Sequence, residues 1–421
     1  MNRDDFKILK KDIIYFDNGA TTLKPKVVRD AILKYYDEYT ANTHRGDYKL
    51  SATVDSLYEE TRKKIKNFIN AKEPSEIVFT DGTTNGMNII VSGFFKDYLK
   101  KDDEVLITLS EHASNIIPWF ILQKEIGIKV KYIELNDNHE VTINNVRKAI
   151  TNKTKVISLA YTTNVIGDER PIKEISKLAH DNNIIMVVDA AQGIAHKKID
   201  VQDEDIDFMV FSGHKMYGPT GIGVLYGKFD LLDKVKPFNY GGGMNAMFTK
   251  DGYVELREIP TRLEGGTPNI EGVLGLGTAI DYLNSIGMDN IHKYELELRK
   301  YLVNEVPQGI YRNHSFSEIT QGYICLNPEI RIRKQDDKYF ITKKSEGTLK
   351  REEQEVEIDA LTYEILLSGV KGNLVEKTRF NIPLEDNKTA ELDIYHGKLG
   401  GIITVEIGFQ SEEESKEFKK P

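Results

Sequence analysis

The sequence predicts an α/β domain, a mostly parallel sheet covered by helices on both faces, followed by a mainly antiparallel β module. Three observations carry this expectation. Up to about residue 300, short apolar runs alternate with amphipathic stretches, as in strands joined by helical crossovers. Beyond that point the texture changes to closely spaced strand-like segments separated by turn residues. The length of 421 residues also exceeds what one hydrophobic core usually holds. The expected domains are therefore 1–300 and 301–421.

In the first part, EIVFT (76–80), DEVLITL (103–109), KVISLAY (155–161), NIIMVVDA (183–190) and DFMVFSG (207–213) read as strands. VVRDAILKYYDEY (27–39) and DSLYEETRKKIKNFI (55–69) read as helices. In such sheets ligands gather at the carboxyl ends of strands, so the polar segments that follow them are where chemistry is expected. In the second part, EIRIRKQDDKYFITKKSEG (329–347) reads as two strands around a QDD turn. EKTRFNIPLEDNKTAELDIYHG (376–397) reads as a hairpin around EDN, and GIITVEIGF (401–409) as a further strand. One helix, in LTYEILLSGVKG (361–372), interrupts them.

Composition narrows the function. A net charge of -9 argues against a general nucleic-acid binder, which carries a basic excess. No apolar run reaches membrane-spanning length, and MNRDDFKILKKDIIYFDNGA lacks the apolar core of a signal peptide. The single cysteine, Cys325, excludes an intramolecular disulfide and fits a reducing compartment, with the cytoplasm as the expectation.

Three segments carry chemistry. The apolar run of VVDAAQG (187–193) stops at Asp189 and places a carboxylate at a strand end. FSGHKMYGPTGIGVLYG (211–227) leads from a strand into Ser212, His214 and Lys215, then through a glycine-rich loop into another strand. DGTTNGMNII (81–90) follows a strand and opens a helix with Thr83 and Thr84, whose hydroxyls and backbone N–H groups suit an anion. A carboxylate, an amine and an anion cradle, each after a strand, fit pyridoxal 5'-phosphate (PLP). That cofactor needs an acidic partner for its ring nitrogen, a lysine for its aldehyde and a seat for its phosphate.

These segments, together with YFDNGATTLKP, NTHRGDYKLS, SEHASNIIPW, RLEGGTPNI and IGMDNIHKYELEL, resemble class V aminotransferase-fold enzymes of the cysteine desulfurase and selenocysteine lyase (SufS-like) type over residues 12–300. The resemblance implies a PLP-dependent transferase of fold type I that mobilises sulfur from L-cysteine. It implies Lys215 as the Schiff-base lysine, Asp189 as the partner of the ring nitrogen and Gln192 as donor to the phenolic oxygen. His112 would stack on the ring and relay protons. Thr83, Thr84, Ser212 and His214 would hold the phosphate, and Thr267 would reach the phosphate of a neighbouring subunit, implying a homodimer. Asn164 and His44 would line the substrate side, and a sulfur-acceptor protein is an expected partner. The late loop that carries the nucleophilic cysteine in that family has no counterpart here. Cys325 lies in ITQGYICLNPEIRIRK, where a buried structural role is expected rather than a persulfide.

The tail instead resembles the CYTH domain of the triphosphate tunnel metalloenzymes. QGYICLNPEIRIRKQDDKYFITKKSEG, REEQEVEI, EKTRF, AELDIYHGKLGGIITVEI and SEEESKEF carry the likeness. It implies an antiparallel β-tunnel in which Arg331, Arg333, Lys344 and Arg379 grip a triphosphate. Glu391, Asp393 and Glu406 would hold Mg2+ or Mn2+. Arg331 and Arg333 alternate along one strand and so share a face. Departures are visible: Leu296 and Leu298 stand where that family's opening glutamates would be, and the late carboxylate pair reads Glu406–Ile407–Gly408. YELELRKYLV (294–303) fits a helix of the first family equally well, which places a junction near 295–303 and leaves the second domain incomplete. The readings carried forward are a cysteine desulfurase-like enzyme, a metal-dependent triphosphate phosphohydrolase, and a PLP-binding fusion without turnover.

Overall fold

The structure, a computed structural model, describes residues 2–11, 13, 15–43, 46–136, 139–305, 314–326, 329–344, 353–370, 372, 374–384, 388–399 and 402–408. The chain divides into two compact units, Met1–Glu295 and Leu296–Pro421.

The first unit opens with α1 (Lys26–Glu38) and α2 (Lys49–Phe68). Along α2, Val54, Tyr58, Thr61 and Ile65 recur at helical spacing and form its buried stripe. A seven-stranded sheet follows, made of β1 (Ile77–Thr80), β2 (Glu104–Ile107), β3 (Lys129–Tyr132), β4 (Thr154–Ala160), β5 (Ile185–Asp189), β6 (Phe208–Ser212) and β7 (Gly223–Gly227). Its order is β1-β7-β6-β5-β4-β2-β3. Strands β2 to β6 pair in parallel, and β7 runs antiparallel to both of its neighbours. That exception has a local cause: the Gly218–Gly221 turn returns the chain straight after Lys215, with no helix to make a parallel crossover.

The expected helices cover both faces. Side chains alternate, so Ile157, Met186, Val188, Met209 and Phe211 join one core, shared with Tyr58 and Ile65 of α2. Val156, Val187, Phe208 and Val210 face the other core, packing with Met87 and Ile90 of α3 (Thr83–Ile90) and with Trp119 and Leu122 of α4 (Ile117–Ile126). Burial on both faces explains why β5 and β6 read as unbroken apolar runs. The helices α5 (Ile143–Ala149), α6 (Ile172–His180) and α7 (Ile270–Ile286) and a hairpin of β8 (Asn245–Phe248) with β9 (Val254–Leu256) complete the unit. Helix α8 (Met288–Glu305) contains YELELRKYLV, so of the two readings of that segment the helical one holds.

The second unit is a seven-stranded sheet of β10 (Phe316–Leu326), β11 (Glu329–Gln335), β12 (Lys338–Lys344), β13 (Glu353–Ile358), β14 (Val375–Pro383), β15 (Thr389–Tyr395) and β16 (Ile403–Ile407). All pairings are antiparallel, in the order β13-β12-β11-β10-β14-β15-β16. The register places Arg331, Arg333, Lys344, Arg379, Glu391, Asp393 and Glu406 on one face. Helix α9 (Ala360–Leu367) is capped by Asp359, whose carboxylate accepts the Thr362 N–H, and it ends before the expected SGVKG. Cys325 departs from the expected burial: it is half-buried, next to a register shift between Tyr323 and Cys325 that breaks the alternation of β10.

Candidate active site

The carboxyl ends of the strands of the first unit surround a cavity of about 550 Å³. Thr83, Thr84, His112, Asn164, Asp189, Gln192, Ser212, His214 and Lys215 all line it. Each enters from a different piece of the fold. Thr83 and Thr84 start α3 after β1, His112 follows β2, Asn164 follows β4, and Asp189 ends β5. Ser212 ends β6, and Lys215 sits in the tight turn Gly213–Lys215 that follows it.

The anion cradle is built by close approach. Gly82 has a φ of +148°, and a Cβ there would stand 3.2 Å from Ser212 Oγ. Thr83 N–H donates to Ser212 Oγ at 2.9 Å, and the two hydroxyls lie 2.8 Å apart. Thr84 Oγ1 lies 2.7 Å from Ser114 Oγ. Thr83, Thr84, Ser114 and Ser212 all line the cavity at the start of α3, where a helix N-terminus favours an anion.

Electrostatics separate the acid from the amine. Asp189 is buried, and desolvation pushes its carboxyl up to about 6, although one oxygen accepts the Ala191 N–H at 2.9 Å. Burial lowers the Lys215 amine, and the charge of Asp189 partly restores it. Burial and then Lys215 hold the His112 imidazole below its ordinary value. The His112 loop is braced from beneath by Glu111 and Arg170, an ion pair whose side chains are both fully buried. Glu111 also accepts from Asn115 Nδ2 at 2.8 Å and from the Ala160 N–H at 2.7 Å.

Some residues of the site were not singled out from sequence. Phe16, Asp17, Gly19 and Ala20 form part of the rim. Gln192 Nε2 donates to Gly19 O at 2.8 Å. The His214 carbonyl receives Thr22 N–H at 2.9 Å, Thr21 and Thr22 hydroxyls at 3.1 and 3.0 Å, and Lys24 Nζ at 2.9 Å. Four donors around one oxygen bind residues 21–24 to the peptide that precedes Lys215. The polar DNGATT cluster was the available signal. Thr267 does not line the cavity; it lines a separate one with Phe79, Asn85 and Asn269. His44 lies outside the described residues.

In the second unit the four basic residues meet carboxylates. Arg331 pairs with Glu353 at 3.1 Å, Arg333 with Glu355 at 2.7 Å, and Lys344 with Glu353 at 3.1 Å. The carboxylates expected to hold a metal are engaged by cations instead. Asp393, fully buried, accepts from Arg379 at 2.7 Å and pairs with Lys377, while Glu391 and Glu406 also face Arg379. Among the described residues no group of three or more His, Cys, Asp or Glu side chains is arranged to hold a metal ion.

The cavity fits PLP on its own geometry: a dianion seat, a buried carboxylate and a half-buried primary amine share one space. Comparison with known proteins agrees. The class-V aminotransferase family matches residues 14–338. The chain is 42% identical over 304 residues to a probable cysteine desulfurase of Halalkalibacterium halodurans, covering 72% of this chain and 75% of that one. It is 41% identical over 331 residues to a cysteine desulfurase of Wigglesworthia glossinidia brevipalpis, covering 77% and 81%. Among solved structures, the apo cysteine desulfurase of Thermococcus onnurineus superposes with a TM-score of 0.69 at 39% identity, covering 72% of this chain and 75% of that one. The Escherichia coli cysteine desulfurase CsdA gives the same TM-score at 32% identity, covering 75% and 78%. The chain belongs to the class-V aminotransferase family of PLP-dependent enzymes, within its cysteine desulfurase branch.

Proposed function

We propose that the first unit is a cysteine desulfurase that releases sulfur from L-cysteine, working in the cytoplasm as a homodimer. The observation that supports it is the meeting of anion cradle, buried carboxylate and half-buried amine in one cavity. Bound PLP would supply an aldehyde for an amine and a ring that withdraws electrons from the substrate α-carbon. Lys215 would be the amine that anchors it and then the base at that carbon, and burial lowers its pKa in the direction that task requires. Asp189 would hold the proton on the ring nitrogen. Gln192, which now donates to Gly19, would turn to the phenolic oxygen. His112 would cover the ring face, and Thr83, Thr84, Ser212 and His214 would fix the phosphate. Asn164 and His44 would orient the substrate, and Thr267 would serve the site of a second copy. With Cys325 half-buried on a strand of the second unit, we assign sulfur acceptance to an external thiol or a sulfur-acceptor protein.

The test is purified chain incubated with PLP. With an excess of a thiol reductant as sulfur acceptor and electron source, a visible absorbance band and release of sulfide and alanine from cysteine are expected, all lost in Lys215→Ala. Protein that gains no band at saturating PLP would overturn the reading.

One observation favours a second activity. The cations Arg331, Arg333, Lys344 and Arg379 share one sheet face, which supports a CYTH-like triphosphate phosphohydrolase using Mg2+ or Mn2+. A metal at Glu391, Asp393 and Glu406 would have to displace Arg379 and Lys377. Phosphate release from tripolyphosphate with either ion, lost in Arg331→Ala, is the expected result; a flat trace counts against it.

A further inference from the structure

Ser114 hydrogen-bonds to two parts of the site at once. Its Oγ lies 2.7 Å from Thr84 Oγ1 in the anion cradle and 3.0 Å from His112 Nδ1. Its backbone N–H also points to that Nδ1, at 3.2 Å. A backbone N–H can only donate, so Nδ1 carries a lone pair and the neutral ring carries its proton on Nε2.

The hydroxyl chain can run in two directions. With nothing on Thr84, Thr84 donates to Ser114 and Ser114 donates to Nδ1, so two donors converge on that nitrogen and favour the neutral ring. When Thr84 gives its hydrogen to an anion, its oxygen becomes an acceptor and Ser114 turns to donate to it. Nδ1 then keeps only the backbone donor. No proton enters or leaves; two hydroxyls rotate.

We propose that Ser114 is a positioning residue that reports the filling of the phosphate cradle to His112, fixing its Nε2–H tautomer and making it more basic when an anion binds Thr84. This rests on the cradle reading above. The charged group acting on the ring is Lys215, and Asp189, Asp17 and His214 line the same cavity.

The experiment is NMR titration of His112 in 15N-histidine-labelled protein without PLP, as wild type, Ser114→Ala and Ser114→Thr, each with and without inorganic phosphate. Wild type should show a bare Nδ1. Ser114→Ala removes one hydrogen bond to the neutral form, so its midpoint should rise by about half a unit to one unit. Ser114→Thr, which keeps hydroxyl and N–H, should restore the wild-type value. Phosphate should raise the wild-type midpoint more than that of Ser114→Ala, where only the through-space effect of the anion remains. Equal midpoints in folded wild type and Ser114→Ala, or a protonated Nδ1 in the neutral wild-type ring, would overturn the proposal. If phosphate binds neither protein, the cradle reading fails, while the phosphate-free comparison still decides the role of Ser114.

Discussion

Asp189 ends β5 and Lys215 follows the adjacent parallel strand β6, and burial drives their pKa values toward each other, the carboxyl up to about 6 and the amine down. Each charge partly offsets the other's desolvation. The site is therefore costly in the empty protein, and a ligand carrying both a ring nitrogen and a phosphate has two charges to compensate.

Asp189→Asn should show this cost directly. The raised folded pKa means that the unfolded chain loses the proton first, so this group costs the fold stability as pH rises from about 4 to about 6, and the cost is constant above that. The amide keeps the acceptor for the Ala191 N–H. Without PLP, the variant should be more stable than wild type at pH 8 by about 2 kcal/mol, and equally stable near pH 3. Its desulfuration rate should fall by about two orders of magnitude. Denaturant melts at the two pH values, paired with sulfide assays, check both halves.

Arg170→Met should damage the fold rather than rebalance it. Glu111 would be left buried and charged beneath the His112 loop, at a cost of about 3–5 kcal/mol. Adding Glu111→Gln should recover a large part. Urea melts of the two singles and the double give the coupling, and additive losses would refute the pairing.

His180 bonds Asp207 at 2.8 Å and Asp205 at 2.7 Å, at the end of the sheet opposite the cavity. The hydrogen bond to Asp207 raises its pKa against the effect of burial. Its stabilisation is then complete below the ordinary histidine value and is lost as pH rises through the raised one. The loss in melting temperature on His180→Asn should be larger at pH 6 than at pH 9. A loss that grows with pH would contradict this.

Asp393 is fully buried on β15, where burial alone would raise its carboxyl; the hydrogen bonds from Arg379 and Lys377 reverse that and hold it low. Arg379→Ala should therefore loosen β14 and β15 by about 2–4 kcal/mol. The quickening of amide exchange that Arg379→Ala causes in peptides from these strands should be largest near neutral pH and should shrink in acid, where Asp393 protonates and wild type loses the pair as well. Unchanged protection at neutral pH would rule the pair out as a brace.

Much of the first unit was legible in the sequence because chemistry and strand ends coincide. VVDAAQG and FSGHK announce a carboxylate and an amine beside strands whose unbroken apolar runs reveal burial on both faces. The reversed direction of β7 was not legible, since it depends on a tight turn where a crossover is the norm. Neither was the brace under His112: Glu111 and Arg170 are 59 residues apart, and no local pattern pairs them. In the tail, alternation along β11 gave the shared face of Arg331 and Arg333, but their partners on β13 depend on register. Cys325 was misplaced because a local irregularity in β10 leaves no mark in composition.

The four donors on the His214 carbonyl also impose an order on biosynthesis. Residues 21–24 are made well before their acceptor, which lies about 190 residues downstream. At roughly 5–20 residues per second the early segment waits about 10–40 s before its bonds can form. The turn that carries Lys215 is thus locked by a stretch made well before it, and the cavity rim closes only after strands β1 to β6 have been translated.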